Sequence, residues 1–367
     1  MASELYIGAL SGTSRDAKDI CLVEIEKTQI KLLKFKTYKF EKKLKNLLFN
    51  INNLEDLVKL DIQLGKSFAK SIEKFLIENN IEKKKIKAIG FHGQTVFHKD
   101  GYTLQIGEPS FISNLGIDVV YDFRRTDISV GGTGAPLSPV LHYLLFRSEE
   151  ESVLFVNIGG ISNVTFIPKK ANFSGVVAFD TGPGNIILDE VSRRFFKKDY
   201  DKDGKIASKG KVHKDIVEIF LKEKFFRKKP PKSAGKEIEE MSNRFINFCT
   251  SRGLKPEDIM ATALQLTVES VKASQKFLSA YPDKVILSGG GANNKFMKKR
   301  FCESFRNVET TENSAIAIKP KEVESVLFSY LAYLYVNRIP LNLKNITGAK
   351  KEVVLGKLSP STSTSIL

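Results

Sequence analysis

Tyr6–Glu26, YIGALSGTSRDAKDICLVEIE, sets two apolar strand-like runs on either side of a small polar loop carrying Gly12, Thr13, Ser14, Asp16 and Asp19. A hairpin needs only two or three turn residues. Here two acids, two hydroxyls and two basic side chains share one turn, which points to a loop built to hold something. Working outward, the run KLLKFKTYKF (31–40) completes a three-strand meander. A helix is expected from about Leu54 to Ile81, where apolar residues recur at helical spacing. IKAIGFHGQTV (86–96) then reads as a strand breaking into a glycine turn.

The same order returns later. VLFVNIG (153–159), NVTFIP (163–168) and GVVAFD (175–180) read as three short strands, with the turn GGISN between the first two. GPGNIILDEVSRRFF (182–196) opens a helix, with Pro183 expected at its start. DKVILSGGGANNKFMKKRF (283–301) repeats strand, glycine turn, helix. Two α/β halves, each opening with a hairpin whose turn faces a central cleft, predict the two-domain actin-like ATPase and sugar-kinase (ribonuclease H-like) architecture. The expected division is 1–140 completed by 325–367, and 141–324. In open α/β sheets ligands bind beyond the carboxyl ends of the strands, where these glycine turns lie.

Composition narrows the function classes. With 367 residues, 42% apolar, the chain is long enough for two cored domains. It has no run of about 18 uncharged apolar residues and no leader pattern at MASELYIGAL, so neither a membrane span nor a secreted protein is expected. Cys21, Cys249 and Cys302 are far apart, which fits a reducing cytoplasm and no zinc site. The net charge of +16 could mark a nucleic-acid partner, but the lysines are scattered and interleaved with acids. They read as solvated surface whose field favours an anionic substrate such as a nucleotide.

Neither a Walker loop nor a dinucleotide fingerprint occurs. Glycine turns offer another way to hold phosphate: SGTS, GGIS and SGGGANN can aim backbone N–H groups at an anion. Asp16 and Asp19 would repel phosphate unless a cation intervenes, and Mg²⁺ would resolve that. Asp180, at a strand end in AFDTGPGN, is a candidate general base, and an N-cap is its competing reading. His92 in GFHGQTVFH could bind a polyol or carboxylate, or be structural. Arg124, between Asp122 and Asp127, could bind a carboxylate bidentately or form a salt bridge. DYDKDGKIASKG (199–210) mimics a calcium loop but ends in Gly210 where a glutamate is needed, so calcium is not expected there.

Eight motifs, in order, are similar to those of 1,6-anhydro-N-acetylmuramic acid kinases: SGTSRDAKD, GFHGQTVFH, QIGEPSFISNLGIDVVYDFRRTDISVGGTGAPLSP, VNIGGISNVT, FDTGPGN, PPKSAGKE, SGGGANN and NLKNITGA. The similarity runs from about Tyr6 to Leu358. It implies an ATP-dependent enzyme of bacterial cell-wall recycling that hydrolyses the 1,6-anhydro bond and phosphorylates O6. It further implies a cytoplasmic enzyme, with a sugar and ATP as its small-molecule partners, no nucleic acid or membrane, and a homodimer. By the same resemblance Gly12, Thr13, Ser14, Arg15, Asp16, Ala17, Lys18 and Asp19 form the ATP segment, with Asp16 and Asp19 toward Mg²⁺. Gly159 and Gly160 join them, and Gly289, Gly290, Gly291 and Asn293 lie against the adenosine. Asp180 matches the catalytic base, while His92, Arg124 and Glu324 are the sugar candidates. Closure over both substrates follows from such an architecture, because free water would hydrolyse ATP.

Three positions depart from the family pattern. Ala17 stands where a glycine is usual and Lys18 follows it, Thr133 replaces a glutamine, and Ala234 replaces a threonine. Rival readings are a kinase acting on another sugar or hydroxy acid, a nucleotide-dependent assembly protein, and a nucleic-acid binder.

Overall fold

In the computed structural model, residues 3–362 are described, apart from Thr13, Thr28, Asp100, 312–317 and Pro320. The chain separates into two compact units, Met1–Leu144 with Ala317–Leu367, and Leu145–Ile316.

The first unit holds β1 (Glu4–Ser11), β2 (Ala17–Glu26), β3 (Gln29–Lys39), β4 (Ile86–Lys99), β5 (Tyr102–Ile106) and β6 (Val119–Tyr121). The second holds β7 (Val153–Ile158), β8 (Ile161–Ile167), β9 (Val177–Pro183), β10 (Lys284–Ser288) and β11 (Val308–Thr310), and β12 (Lys357–Ser359) returns to the first. The first sheet runs β3-β2-β1-β4-β6-β12, with β5 on β4. The second runs β9-β8-β7-β10-β11. In each, an antiparallel meander precedes strands added parallel to its first member. The same order twice in one chain is the ribonuclease H-like topology of actin-like ATPases and sugar kinases.

Local chemistry explains the elements. The helix Leu54–Glu78 is capped by Asn53, whose side chain accepts from the Asp56 amide, and carries Glu55 and Asp56 in its first turn. Leu60, Leu64, Phe68, Ile72 and Phe75 recur every three or four residues and bury against Ile7, Ala9, Ile20 and Leu22 of the sheet. Each such side chain contributes about 1.5–3 kcal/mol. In the second unit the helix Pro256–Ser274, with Pro256 in its first turn, is buried along much of its surface, in a core with Phe166, Phe179 and Phe245.

The opposite face of the first sheet is covered by the helix Val323–Val336. Gly8 and Gly90, paired across β1 and β4, make that approach possible. A Cβ at Gly8 would stand 1.8 Å from the Ser325 carbonyl oxygen, and one at Gly90 would stand 1.9 Å from that of Phe328. No rotamer relieves a clash between Cβ and backbone. Gly90→Ala is therefore expected to cost at least about 3 kcal/mol, the upper part of the overpacking range. A lowered urea midpoint with an unchanged slope is the signature to look for.

Candidate functional site

The polar loop of the first unit is held from below. Ser11 Oγ donates to Gln94 Oε1 at 2.7 Å, and Gln94 Nε2 donates to the Gly12 carbonyl at 3.2 Å. Gln94 is fully buried and comes from GFHGQTV, so one motif props another. The Arg15 amide closes the turn on Gly12 O at 3.1 Å, with Arg15 at φ 52°. The left-handed residue is thus Arg15, while Ala17 begins β2 in ordinary extended pairing with Lys39. Alanine in place of glycine costs nothing there. Arg15 donates from Nη1 to the Leu48 carbonyl at 2.8 Å and packs on Phe49. Thr13 lies outside the described residues.

Asp16 is exposed, and the Ser14 hydroxyl donating at 2.6 Å holds its carboxyl below the usual range. Burial pushes Asp19 upward against the hydroxyl of Thr37, which donates at 2.6 Å. The side chain of Lys18, read from the sequence as part of the ATP segment, turns away from the loop. Strand alternation turns it to the helix face of the sheet. There it is 5% exposed, and Nζ donates to Ser67 Oγ at 2.6 Å and to Ser67 O at 3.2 Å. Burial brings its pKa down to about 8.

A second cluster of this unit joins His92, Arg124 and Glu324. His92 stacks on Phe328 with centroids 4.1 Å apart. Arg124 donates from Nε to His92 Nε2 at 3.3 Å and from Nη1 to Gly134 O at 2.9 Å. Burial, then Arg124, drives the His92 pKa well below its usual value, so the ring is neutral and Nε2 accepts. Glu324, in the first turn of the helix Val323–Val336, is exposed. Desolvation raises its pKa and Arg124 pulls it back.

Asp127, fully buried, organises the glycine corner: Oδ2 accepts from the Gly134 amide and Oδ1 from Thr347 Oγ1, both at 2.7 Å. It ties GGTGAP to NITGA across 220 positions. Thr133 hydrogen-bonds Ala135 O and Thr347 O at this corner. In the same unit a cavity of about 270 Å³ is lined by Asp61, Phe91, His92, Glu108 and Arg125 among others.

In the second unit Asp180 lies within β9, which continues to Pro183. The next helix begins only at Ile186 with Asn185 as its N-cap, so Pro183 ends the strand and Asp180 caps nothing. Burial raises the Asp180 pKa, opposed by the Ala234 amide donating to Oδ2 at 2.6 Å and by the Lys232 charge. Ala234 acts through its N–H, a contact that its side chain does not enter.

Gly159 and Gly160 present carbonyls to the same helix start: Asn185 N donates to Gly159 O at 2.8 Å, and Gly184 N to Gly160 O at 2.9 Å. The Gly184 and Asn185 amides are therefore spent within the protein. The turn after β10 is tightly seated. Gly289 has φ +77°, and a Cβ there would meet Asn157 Oδ1 at 2.7 Å. A Cβ at Gly291 would stand 2.3 Å from Ile158 Cγ2, whereas Gly290 faces more open space. Asn293 closes the short helical turn 290–293, and Asn294 caps the helix Lys295–Ser304. Asp201 of DYDKDGKIASKG spends both oxygens on the Ile206 and Ala207 amides.

Gln94, Asp127, Thr347 and Lys232 received no role from the sequence, although each sits in a quoted motif. Each has at least one partner tens to hundreds of positions away. Among the described residues no group of three or more His, Cys, Asp or Glu is arranged to hold a metal, and no helix is long and apolar enough to cross a membrane.

Comparison with known proteins is consistent along the chain. The family model described as anhydro-N-acetylmuramic acid kinase matches residues 4–361. A protein of that name from Coxiella burnetii is 38% identical, covering 98% of each chain. One from Caldanaerobacter subterraneus subsp. tengcongensis is 36% identical, covering 97% of this chain and 96% of that one. Among solved structures, a ROK hexokinase from Thermus thermophilus is 12% identical with a TM-score of 0.44, covering 90% of this chain and 99% of that one.

Proposed function

The chain belongs to the anhydro-N-acetylmuramic acid kinase family, and we propose that it opens the 1,6-anhydro ring of 1,6-anhydro-N-acetylmuramic acid with water and phosphorylates the released O6 from ATP. The product is N-acetylmuramic acid 6-phosphate, formed in cytoplasmic recycling of cell-wall peptidoglycan. The observation that carries this reading is Asp180, a half-buried carboxylate of raised pKa on β9, held among the described residues through one oxygen by a backbone amide.

Ionised Asp180 takes a proton from a water placed at the anomeric carbon. The water oxygen bonds to C1 as the C1–O6 bond breaks, and the electron pair left on O6 attacks the γ-phosphorus, ADP leaving. A raised pKa makes the carboxylate a stronger base. Desolvation supplies that rise, and the Ala234 N–H keeps it moderate. Neutral His92 and the guanidinium it orients suit a polyol and the lactyl carboxylate, respectively. Glu324 carries the third sugar contact.

Phosphate contacts fall to the Gly12–Asp19 loop and the Gly159–Gly160 turn, and the adenosine to Gly289–Gly291 and Asn293. Asp16 and Asp19 fit Mg²⁺: hard carboxylate oxygens, two in number, match an ion that takes one or two carboxylates together with substrate phosphates. When bound, it neutralises charge on the transferring phosphoryl group. A homodimer belongs to the same reading.

The test is one reaction of the purified protein with Mg·ATP and 1,6-anhydro-N-acetylmuramic acid in ¹⁸O-water, read by mass spectrometry. A phosphorylated sugar carrying one ¹⁸O at C1 is expected. Phosphorylation without solvent oxygen would assign a different hydroxyl acceptor, and absence of any product would overturn the substrate.

A further inference from the structure

Lys232 of PPKSAGKE has an environment that its position on a loop does not require. Its ammonium lies 4.4 Å from the ring centroid of Phe225, 5.4 Å from Phe277 and 5.8 Å from Phe179. It donates to the Phe225 carbonyl at 3.1 Å. Phe225 is 4% exposed and Phe179 2%, so the cage is part of the core surface and not a chance contact. Cations over aromatic faces gain most when desolvated.

The main chain of the same segment is bonded to β9. The Asp180 amide donates to Lys232 O at 3.1 Å, and the Ala234 amide donates to Asp180 Oδ2 at 2.6 Å. Phe179, whose ring forms one wall of the cage, is the neighbour of Asp180 in the strand. The caged head and the two backbone bonds therefore fasten one strap at both ends of a single residue.

We propose that Lys232 is a positioning residue for Asp180: its caged ammonium pins the strap whose Lys232 carbonyl and Ala234 amide fix the Asp180 main chain and Oδ2, leaving Oδ1 to take the proton. This rests on Asp180 as the base. The lysine adds a field as well as an anchor. Asp180 is drawn down by Lys232 and pushed up by burial, while Lys232 itself is brought to about 8 by burial, by Lys276 and by Lys228, with Asp180 opposing. A methionine could fill the cage, but it could neither bond the carbonyl nor hold the carboxylate ionised.

The experiment uses the full chain, with K232M, K232Q and K232R beside wild type. First, the ¹³C carboxyl signal of Asp180 is titrated with no sugar or nucleotide present. In K232M and K232Q the midpoint should rise by about half a pH unit or more, since an opposite charge is removed. Second, kcat should fall about 10–100-fold with KM for the sugar nearly unchanged, as for a misplaced catalytic group. K232R keeps charge and ring contact and should recover most of that loss. Should K232M fail to fold, K232Q, which keeps an N–H donor on a stem one atom shorter, carries the same test.

An unmoved titration, or an unchanged kcat in the uncharged variants, overturns the proposal. The titration needs no turnover. A moved midpoint in an enzyme that stays active as Asp180→Asn would overturn the base and leave the strap in place.

Discussion

Asp180→Asn should retain the fold and lose at least about 10²–10⁴-fold in kcat, the range assigned to a positioned general base. Asparagine keeps the shape and offers Ala234 an amide oxygen to accept the N–H that Asp180 Oδ2 now accepts. What it lacks is an atom that takes up a proton at neutral pH. Nucleotide binding should survive, because no phosphate contact is assigned to this side chain. The pH profile gives a second reading. Burial holds the wild-type carboxyl above the usual carboxylate value, so the acid limb of kcat/KM should fall at correspondingly higher pH. Turnover of Asp180→Asn within tenfold of wild type, measured on protein whose thermal unfolding is unchanged, would remove Asp180 from the mechanism.

Acid should destabilise the protein through His142, in the buried helix Ser138–Phe146. His142 is 4% exposed, and desolvation brings its pKa from 6.5 to about 3. The sign follows from linkage: between those values the unfolded chain binds a proton that the folded chain does not, so stability is full above pH 6.5 and falls as pH drops toward 3. A tenfold change in proton affinity is worth about 1.4 kcal/mol, which makes the loss at pH 3 on the order of 4 kcal/mol. That is a large part of the 5–15 kcal/mol typical of a folded domain. His92, shifted the same way, adds to the loss. His142→Leu should flatten the dependence of the urea midpoint between pH 7 and 4 relative to wild type, whatever it does to stability at pH 7. An equally steep dependence in His142→Leu would assign acid sensitivity to other groups.

Local patterns made much of the architecture legible. The apolar runs of β1 and β2, the glycine turn after β10 and the helical spacing from Leu54 are short-range signals, and short-range physics sets them. By contrast, β4 runs on through Gly93 to Lys99 where a glycine turn was expected, because pairing with β5 carries the strand past it. The helix ended at Glu78, a few residues before the expected Ile81, because Asn79 and Asn80 close it. Pro183 misled for a similar reason: its ring suits a helix start, but pairing of Ile161 with Pro183 extends β9 through it.

The parts that stayed illegible depend on distant partners. Nothing near Lys18 announces Ser67, whose hydroxyl takes the ammonium away from the loop. Asp127 and Thr347 are 220 positions apart, and neither looks special without the other. Gln94 supports Gly12 from 82 positions away. The acidic and glycine positions of the candidate site could be named from the sequence, whereas the buried side chains that steady them could not.

The first unit is closed by a helix that the chain supplies late. The sheet face bearing Tyr6, Gly8, Cys21 and Gly90 is covered by Val323–Val336, and between them runs the whole of Leu145–Ile316. During synthesis at about 5–20 residues per second, that face waits roughly 10–40 s for its cover. The second unit, contiguous in the chain, has every residue it needs before the first does. The usual order of domains leaving the ribosome is thereby reversed, with the N-terminal sheet finishing last and the paired glycines receiving the final helix to arrive.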